Sequence, residues 1–363
     1  MGEAFLLTRA LLQFGDTRDD LRGDLSAAAI TPDGSLWVAS DELHSVERLS
    51  QVAPYVFDAH RPFPLGTFVP LPDPEGEVDI EGMDYHDSYI WLVGSHSLKR
   101  KKVKGKQTAK DIGRLATVKP EPNRFLLARI LVVGDMLFTS CSHPERPETL
   151  LTAAHLELRD EGNVLTEALS EDEHLGPFLS FPLGDKENGF NIEGLAARGN
   201  RLFLGLRGPV LDGWAILLEL ELAEGQPGVL TLQQADGWAR PYRKHFLNLD
   251  GLGIRELQLH GDDLLILAGP TMHVEGAMQL YRLNDALGHD DDSLSSRDTG
   301  DLCPVFDLPF TIGADHAEGL ACLPCLNEDD ALMILYDAPS PRRRAGPGAL
   351  FADIFRLPPR SDA

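Results

Sequence analysis

One pattern returns along this chain, and it constrains the fold more than any other feature. A short apolar strand opens on polar residues, turns through Gly, Asp or Asn, and comes back as a second apolar strand. Six segments follow the pattern. They are "DLSAAAITPDGSLWVASDE" from Asp24, "DIEGMDYHDSYIWLVGSHS" from Asp79, "RFLLARILVVGDMLFTSCSH" from Arg124, "NIEGLAARGNRLFLGLRGP" from Asn191, "GIRELQLHGDDLLILAGP" from Gly253, and "HAEGLACLPCLNEDDALMILYDAP" from His316. Their turns carry the residues that β-hairpins require. Ser26 to Glu81 spans 55 positions, Glu81 to Glu193 spans 112, or two units, Glu193 to Arg255 spans 62, and Arg255 to Glu318 spans 63. A fixed period of this length marks a repeat architecture.

Each unit has room for four antiparallel strands, the blade of a β-propeller. Long 3.6-residue periods are scarce, and 34 Gly and 25 Pro punctuate the chain at turn spacing, which argues against helices. The expected fold is therefore all-β: a six-bladed β-propeller of four-stranded antiparallel blades, one domain over residues 1–363. With 43% hydrophobic residues the chain can fill a core of that size. The N-terminal "FLLTRALLQF" and the C-terminal "GALFADIFRLP" are expected to pair within one blade and close the ring.

Residues i and i+2 of a strand point to one side. Asp24 thus pairs with Ser26, Asp79 with Glu81, Asn191 with Glu193, Gly253 with Arg255, and His316 with Glu318, around apolar Leu25, Ile80, Ile192, Ile254 and Ala317. The first strand of a propeller blade lines the central channel, so these polar groups should converge in two layers. The returning strands bring Asp41, Ser95, His96, Ser142, His143, Arg207 and Asp337 to the same mouth. The third segment departs from the pattern: it has no acid in register, and Arg124 and Arg129 are equal candidates to face the channel.

Carboxylates crowded in a partly dry channel need a cation, a proton or an arginine. Two readings follow. In one, acids and arginines pair to lock the blades together. In the other, Glu81, Glu193, Glu318 and Asn191 hold Ca²⁺ or another divalent cation through hard oxygen ligands. Arg207 and Arg255 then hold an anionic group. His96 or His316 moves protons, and Asp41, His143 and Asp337 contact substrate.

The phrases "IEGM", "IEGLA" and "AEGLA", with "GLRGP" and "GIREL", resemble a bacterial family defined only as a domain of unknown function. That family is similar to the esterase-like phytase propellers. The resemblance covers residues 24–339 and implies a β-propeller without an established reaction. More distant metal-dependent lactonase and phosphotriesterase propellers place a Glu/Asn/Asp cation site on the axis, and Glu81, Glu193 and Asn191 are compatible with it. Arg255 and the third segment depart from it. The expected function is metal-dependent hydrolysis of a small anionic phosphoester or lactone at the channel mouth. The alternative is a non-catalytic propeller binding a protein or metabolite at the same face.

The remaining features narrow the partners. A formal net charge of -24 disfavours non-specific binding to nucleic acid or anionic membranes. The N-terminal segment lacks a basic region and a continuous apolar run, and no stretch approaches the ~20 apolar residues of a membrane span, so a cytoplasmic protein is expected. Residues 97–114 hold eight basic residues and one acid, either a solvated hairpin or a rim that steers anions. Cys141, Cys303, Cys322 and Cys325 include one CxxC but no second pair for zinc. No G-x-S-x-G elbow is present, so a serine triad lacks support.

Overall fold

A computed structural model describes residues 3–15, 19–143, 146–272, 274–309 and 311–360. Strands dominate it, and the helices are short, the longest being Thr108–Leu115. Five of the six repeated segments form the expected hairpins: Leu25–Ile30 with Leu36–Ser40, Ile80–His86 with Tyr89–Gly94, Asn191–Arg198 with Arg201–Gly208, Gly253–His260 with Asp263–Gly269, and His316–Cys325 with Glu328–Asp337. The first strands of these hairpins adjoin one another in a circle, the last lying against the first. This is a β-propeller arrangement. Further strands extend each hairpin outward, such as Ser45–Ala53 and Val56–Pro64 on the first, and Gln279–Leu283 and Leu302–Asp307 on the fourth.

The third segment does not build an inner strand of its own, so the expected six blades are not what forms. Leu127–Val133 pairs along Tyr89–Gly94, with Leu127 opposite Val93 and Leu131 opposite Tyr89. It is the third strand of the sheet that begins at Ile80, with Ala154–Leu156 beyond it. The physical reason lies in its composition. Leu127 to Val132 are all buried, as suits a strand inside a sheet between two neighbouring sheets, and nothing polar stands at its start to face water on the axis. The 112 positions between Glu81 and Glu193 are one sheet plus long excursions, which carry the helices Val164–Ser170 and Gly176–Ser180.

The two ends of the chain meet. Leu6–Gln13 pairs antiparallel with Ala349–Arg356, from Leu6 opposite Phe355 to Gln13 opposite Ala349. Ala10, Leu12 and Phe14 are buried there, in one apolar cluster with Leu350, Ala352 and Ile354. Asp353 ties the junction together: Arg9 Nε donates to its Oδ1 at 2.9 Å, while Tyr336 Oη and Arg343 donate to its Oδ2 at 2.9 and 2.8 Å.

The inner strands run close together. A Cβ on Gly82 would fall 2.8 Å from the Leu195 backbone nitrogen, and one on Gly194 would fall 2.9 Å from Leu257 Cγ. The "EG" phrase of the repeat therefore couples a channel carboxylate to a glycine that lets the next strand approach. Two outcomes follow. Leu12→Ala should cost about 2–5 kcal/mol in urea unfolding, because its side chain is 1% exposed. Deleting residues 1–14 should leave the last sheet open and sharply lower the melting temperature; an equally stable truncated protein would refute the role given to this strand.

Candidate functional site

The channel residues are positioned by a recurring defect in strand pairing. In each of the five inner strands the register slips by one residue near the start. Pairing jumps from Leu25 to Ala27, from Ile80 to Gly82, from Ile192 to Gly194 and from Ile254 to Glu256, and in the last strand from Ala317 to Leu320. The unpaired residues are Ser26, Glu81, Glu193 and Arg255, with Glu318 in the corresponding slip. A β-bulge bends the strand and re-aims the side chain it leaves unpaired. Here the same bulge, five times over, turns those side chains towards one another.

On one side of the mouth the charges are matched. Glu193 Oε1 accepts from Arg207 Nη1 at 2.8 Å and from Asn191 Nδ2 at 2.8 Å, and Glu193 Oε2 lies 3.0 Å from Arg255 Nε. Arg255 reaches on to Glu318. Burial works to raise the Glu193 pKa, but Arg207 and Arg255 outweigh it and hold the carboxyl below its ordinary range. On the other side they are not matched. Asp41, Asp79 and Glu81 each place one carboxylate oxygen within 4.8 Å of the other two. Asp41 Oδ1 is buried without a hydrogen-bond partner. Burial, then Asp79 and Glu318, push Asp41 up to about 9. Burial raises Asp79 to about 6 against the pull of Arg124. Burial and four neighbouring carboxylates, Glu193 foremost, raise Glu81 well above its usual value. Glu318 is pushed to about 8, mainly by burial, although Arg255 opposes it.

Arg124 settles the third segment's choice. Its Nη1 lies 2.9 Å from Asp79 Oδ2 and donates to Ser97 Oγ at 2.7 Å. Arg129 points elsewhere, to Glu224 Oε2 at 2.6 Å and Asn200 Oδ1 at 3.1 Å. Five channel carboxylates, Asp41, Asp79, Glu81, Glu193 and Glu318, thus meet three guanidinium groups. Among the described residues, Asp41 and Glu81 have no guanidinium partner, and Arg124 is shared by Asp79, Glu121 and Asp185.

The expected site residues divide accordingly. Asn191, Glu193, Arg207, Arg255 and Glu318 come together with Glu81, and Asp41 and Asp337 line the same mouth. The expected ligand set is regrouped: Glu193 and Glu318 are held by arginines, while Asp41 and Asp79 stand beside Glu81. His316 lies at the mouth, with Nδ1 3.7 Å from Asp337 and Nε2 3.5 Å from Glu275. The Asp337 contact raises its pKa. His96 is not at the mouth chemistry. It is 2% exposed, its Nδ1 bonds Gly94 O at 2.8 Å, its Nε2 meets Asn163 Nδ2 at 2.7 Å, and burial lowers its pKa to about 4. His143 lies with Asp33, Asp87 and Ser88 of the hairpin turns, at the far ends of the strands. Its segment belongs to no inner hairpin, so nothing carries it back to the mouth.

Asp79 and Arg124 are the residues that sequence reasoning undervalued. Asp79 stood in the i, i+2 pair with Glu81 but was not placed among the ligands. Its φ of 57° is a left-handed conformation that Asp tolerates and that no spacing pattern reveals.

The basic segment borders the mouth. Lys99, Arg100, Lys101 and Lys102 share a cavity of about 310 Å³ with Asp41, Asp79 and Glu81. Lys99 Nζ is paired to Glu77 at 2.6 Å, and Arg100 is paired to Glu187. Lys101 and Lys102 are exposed.

Comparisons with known proteins bear on the chain as a whole. No curated protein matches it. Among solved structures, the PQQ-bound aldose sugar dehydrogenase of Streptomyces coelicolor is similar over 97% of this chain and 100% of that one, at 13% identity and a TM-score of 0.36. Virginiamycin B lyase of Staphylococcus aureus covers 96% and 99%, at 9% identity and a TM-score of 0.36. These likenesses assign no activity to this chain. The family model described as protein of unknown function, DUF3616, matches residues 24–353.

Replacing Glu193 by Gln should leave Arg207 and Arg255 buried without their shared carboxylate. The expected cost is about 3–5 kcal/mol, read from chemical denaturation. Because Glu193 is engaged by arginines, Ca²⁺ affinity measured by calorimetry on the folded variant should change little. A complete loss of binding would return Glu193 to the ligand set.

Proposed function

The chain belongs to this DUF3616 family, and from the geometry of its channel mouth we propose a divalent-cation-dependent hydrolase of a small anionic substrate, a phosphoester or lactone. The propeller that carries the site is read as five-bladed, its ring closed by Leu6–Gln13. The observation that carries the proposal is the unmatched group of Asp41, Asp79 and Glu81, with ligand atoms within 4.8 Å of one another. Carboxylates so close cannot all ionise without a positive charge between them. Oxygen ligands alone suit a hard ion such as Ca²⁺. The orphaned Asp41 Oδ1 is a lone pair waiting for such a partner.

Bound there, the cation would polarise the scissile bond as a Lewis acid. The chain's own residues supply the rest. Exposed Lys101 and Lys102 at the rim draw the anionic group in against the negative field of the whole protein. Arg124 fixes the Asp79 carboxylate from behind, and the Glu193–Arg207–Arg255 network keeps the opposite wall rigid. His316, whose pKa is raised by Asp337, is the proton donor to the leaving oxygen.

The pH dependence has a defined sign. The folded-state pKa values of Asp41 and Asp79, about 9 and about 6, lie above the ordinary aspartate value of 3.8. The folded protein therefore binds more protons than the unfolded chain between these limits, and the cation-free protein loses stability as pH rises from about 4 towards 9. A cation that displaces those protons offsets the loss. The Ca²⁺-minus-EDTA difference in melting temperature should be larger at pH 9 than at pH 6, and Asp41→Asn should shrink it at both. No Ca²⁺ effect at either pH would remove the cation and the mechanism with it. Hydrolysis of p-nitrophenyl phosphate and of a simple lactone, with and without EDTA, separates an enzyme from a binding protein.

A further inference from the structure

The mouth opens into two cavities that share Lys186, Arg207, Glu318 and Asp337. The first holds the unmatched carboxylates, and its lining is charged except for Leu115. The second, about 450 Å³, differs in chemistry. Charged groups line part of it, Arg255, His316, Glu275 and Asp315 among them, and one wall is apolar, built from Pro270, Met272, Val274, Met278 and Pro309. These apolar groups come from two stretches that leave the fourth sheet on the mouth side, one after Asp263–Gly269 and one after Leu302–Asp307.

The wall is held in place. Arg207 Nε donates to Thr271 O at 3.1 Å, Met272 bridges to Glu187, and Val274 N donates to Met272 O at 2.8 Å. A Cβ on Gly276 would fall 2.8 Å from Pro270 Cγ, so the stretch folds tightly back on itself. Met278 packs over Gly269 next to the Arg255 stem. Arg207 thus links the carboxylate network to the backbone of the apolar wall through one side chain. Yet Met272 is 49% and Val274 59% exposed. Folding leaves them in water beside a charged cavity, within reach of a ligand held in the mouth. Ligand sites commonly join an apolar wall to a few charged groups that fix orientation, and methionine adapts to varied apolar shapes.

We infer that the substrate is amphiphilic, with its anionic head on the cation side of the mouth and an apolar chain or ring along Pro270, Met272, Val274, Met278 and Pro309. The inference rests on the hydrolase reading only for the placement of the head. A purely polar substrate would leave this wall uncovered and gain nothing from it.

Calorimetric titration of the full chain with methyl, butyl and octyl phosphate, in Ca²⁺, tests it. Affinity should rise with chain length by up to about fourfold per buried methylene. Met272→Asp and Val274→Asp should flatten that rise. Both side chains are half-exposed, so the variants should fold, and their melting curves check that they do. Equal affinity for all three phosphates, or the same rise in the variants, overturns the inference. If Ca²⁺ does not bind but the wild-type rise persists and the variants abolish it, the apolar wall stands and the cation site falls. If Ca²⁺ and methyl phosphate bind but chain length has no effect, the cation site stands and the amphiphilic substrate is excluded.

Discussion

Mutual repulsion among carboxylates gathered on one axis is the constraint that the rest of this molecule answers. Five inner strands each deliver a side chain to a narrow space, and most of those side chains are acidic. In so small and dry a volume, unbalanced charge costs more than any single contact returns. The protein resolves half of the problem internally. Glu193 sits between guanidinium groups carried by two different strands, and Arg255 extends the chain of charges to Glu318. The other half is left open. Asp79 has Arg124, but Asp41 and Glu81 have no comparable partner, and burial drives their pKa values up. A site that neutralises one wall and not the other is asymmetric by construction.

That electrostatic arrangement depends on a steric one. The bulges that turn the side chains inward occur where adjacent strands nearly touch, and Gly82 and Gly194 make the approach possible. Gly319 stands at the same position in the last strand, whereas the first and fourth strands fill it differently. Ala27 occupies it in the first strand, and Glu256 in the fourth, where the buried carboxyl accepts from the Leu195 and Leu257 backbone amides at 3.2 and 2.9 Å. Burial raises the Glu256 pKa well above its usual value.

Much of this was legible in the sequence, and the misses have physical causes. The alternation of polar and apolar residues at Asn191–Ile192–Glu193 reports which side of a strand meets water, and it found the axis correctly in five segments. The same alternation is missing at Leu127 because that strand is buried on both sides, and counting it as a sixth unit came from its strand–turn–strand pattern and its spacing. Spacing sees length and not which sheet a strand joins. Histidines posed a different difficulty. His96 follows a returning strand and His316 opens a first strand, and both were expected at the mouth, yet one is turned inward to Asn163 and the other stays at the mouth. The difference is a rotation of the backbone, φ 54° at His96, that a residue pattern does not encode. Side-chain partnership across strands, such as the regrouping of Glu81 with Asp41 and Asp79, depends on three-dimensional distances for the same reason.

The pairing of Leu6–Gln13 with Ala349–Arg356 has a consequence for how the molecule comes into being. Leu6–Gln13 can find its antiparallel partner only after the intervening strands have been synthesised. Until then Ala10, Leu12 and Phe14 have no cluster to join, and the contact between the ends is among the most non-local a chain of this length can make. Sheets nearer the middle can assemble from neighbouring sequence while synthesis continues. The sheet that joins Leu6–Gln13 to Ala349–Arg356 cannot, so its assembly follows that of the sheets between them.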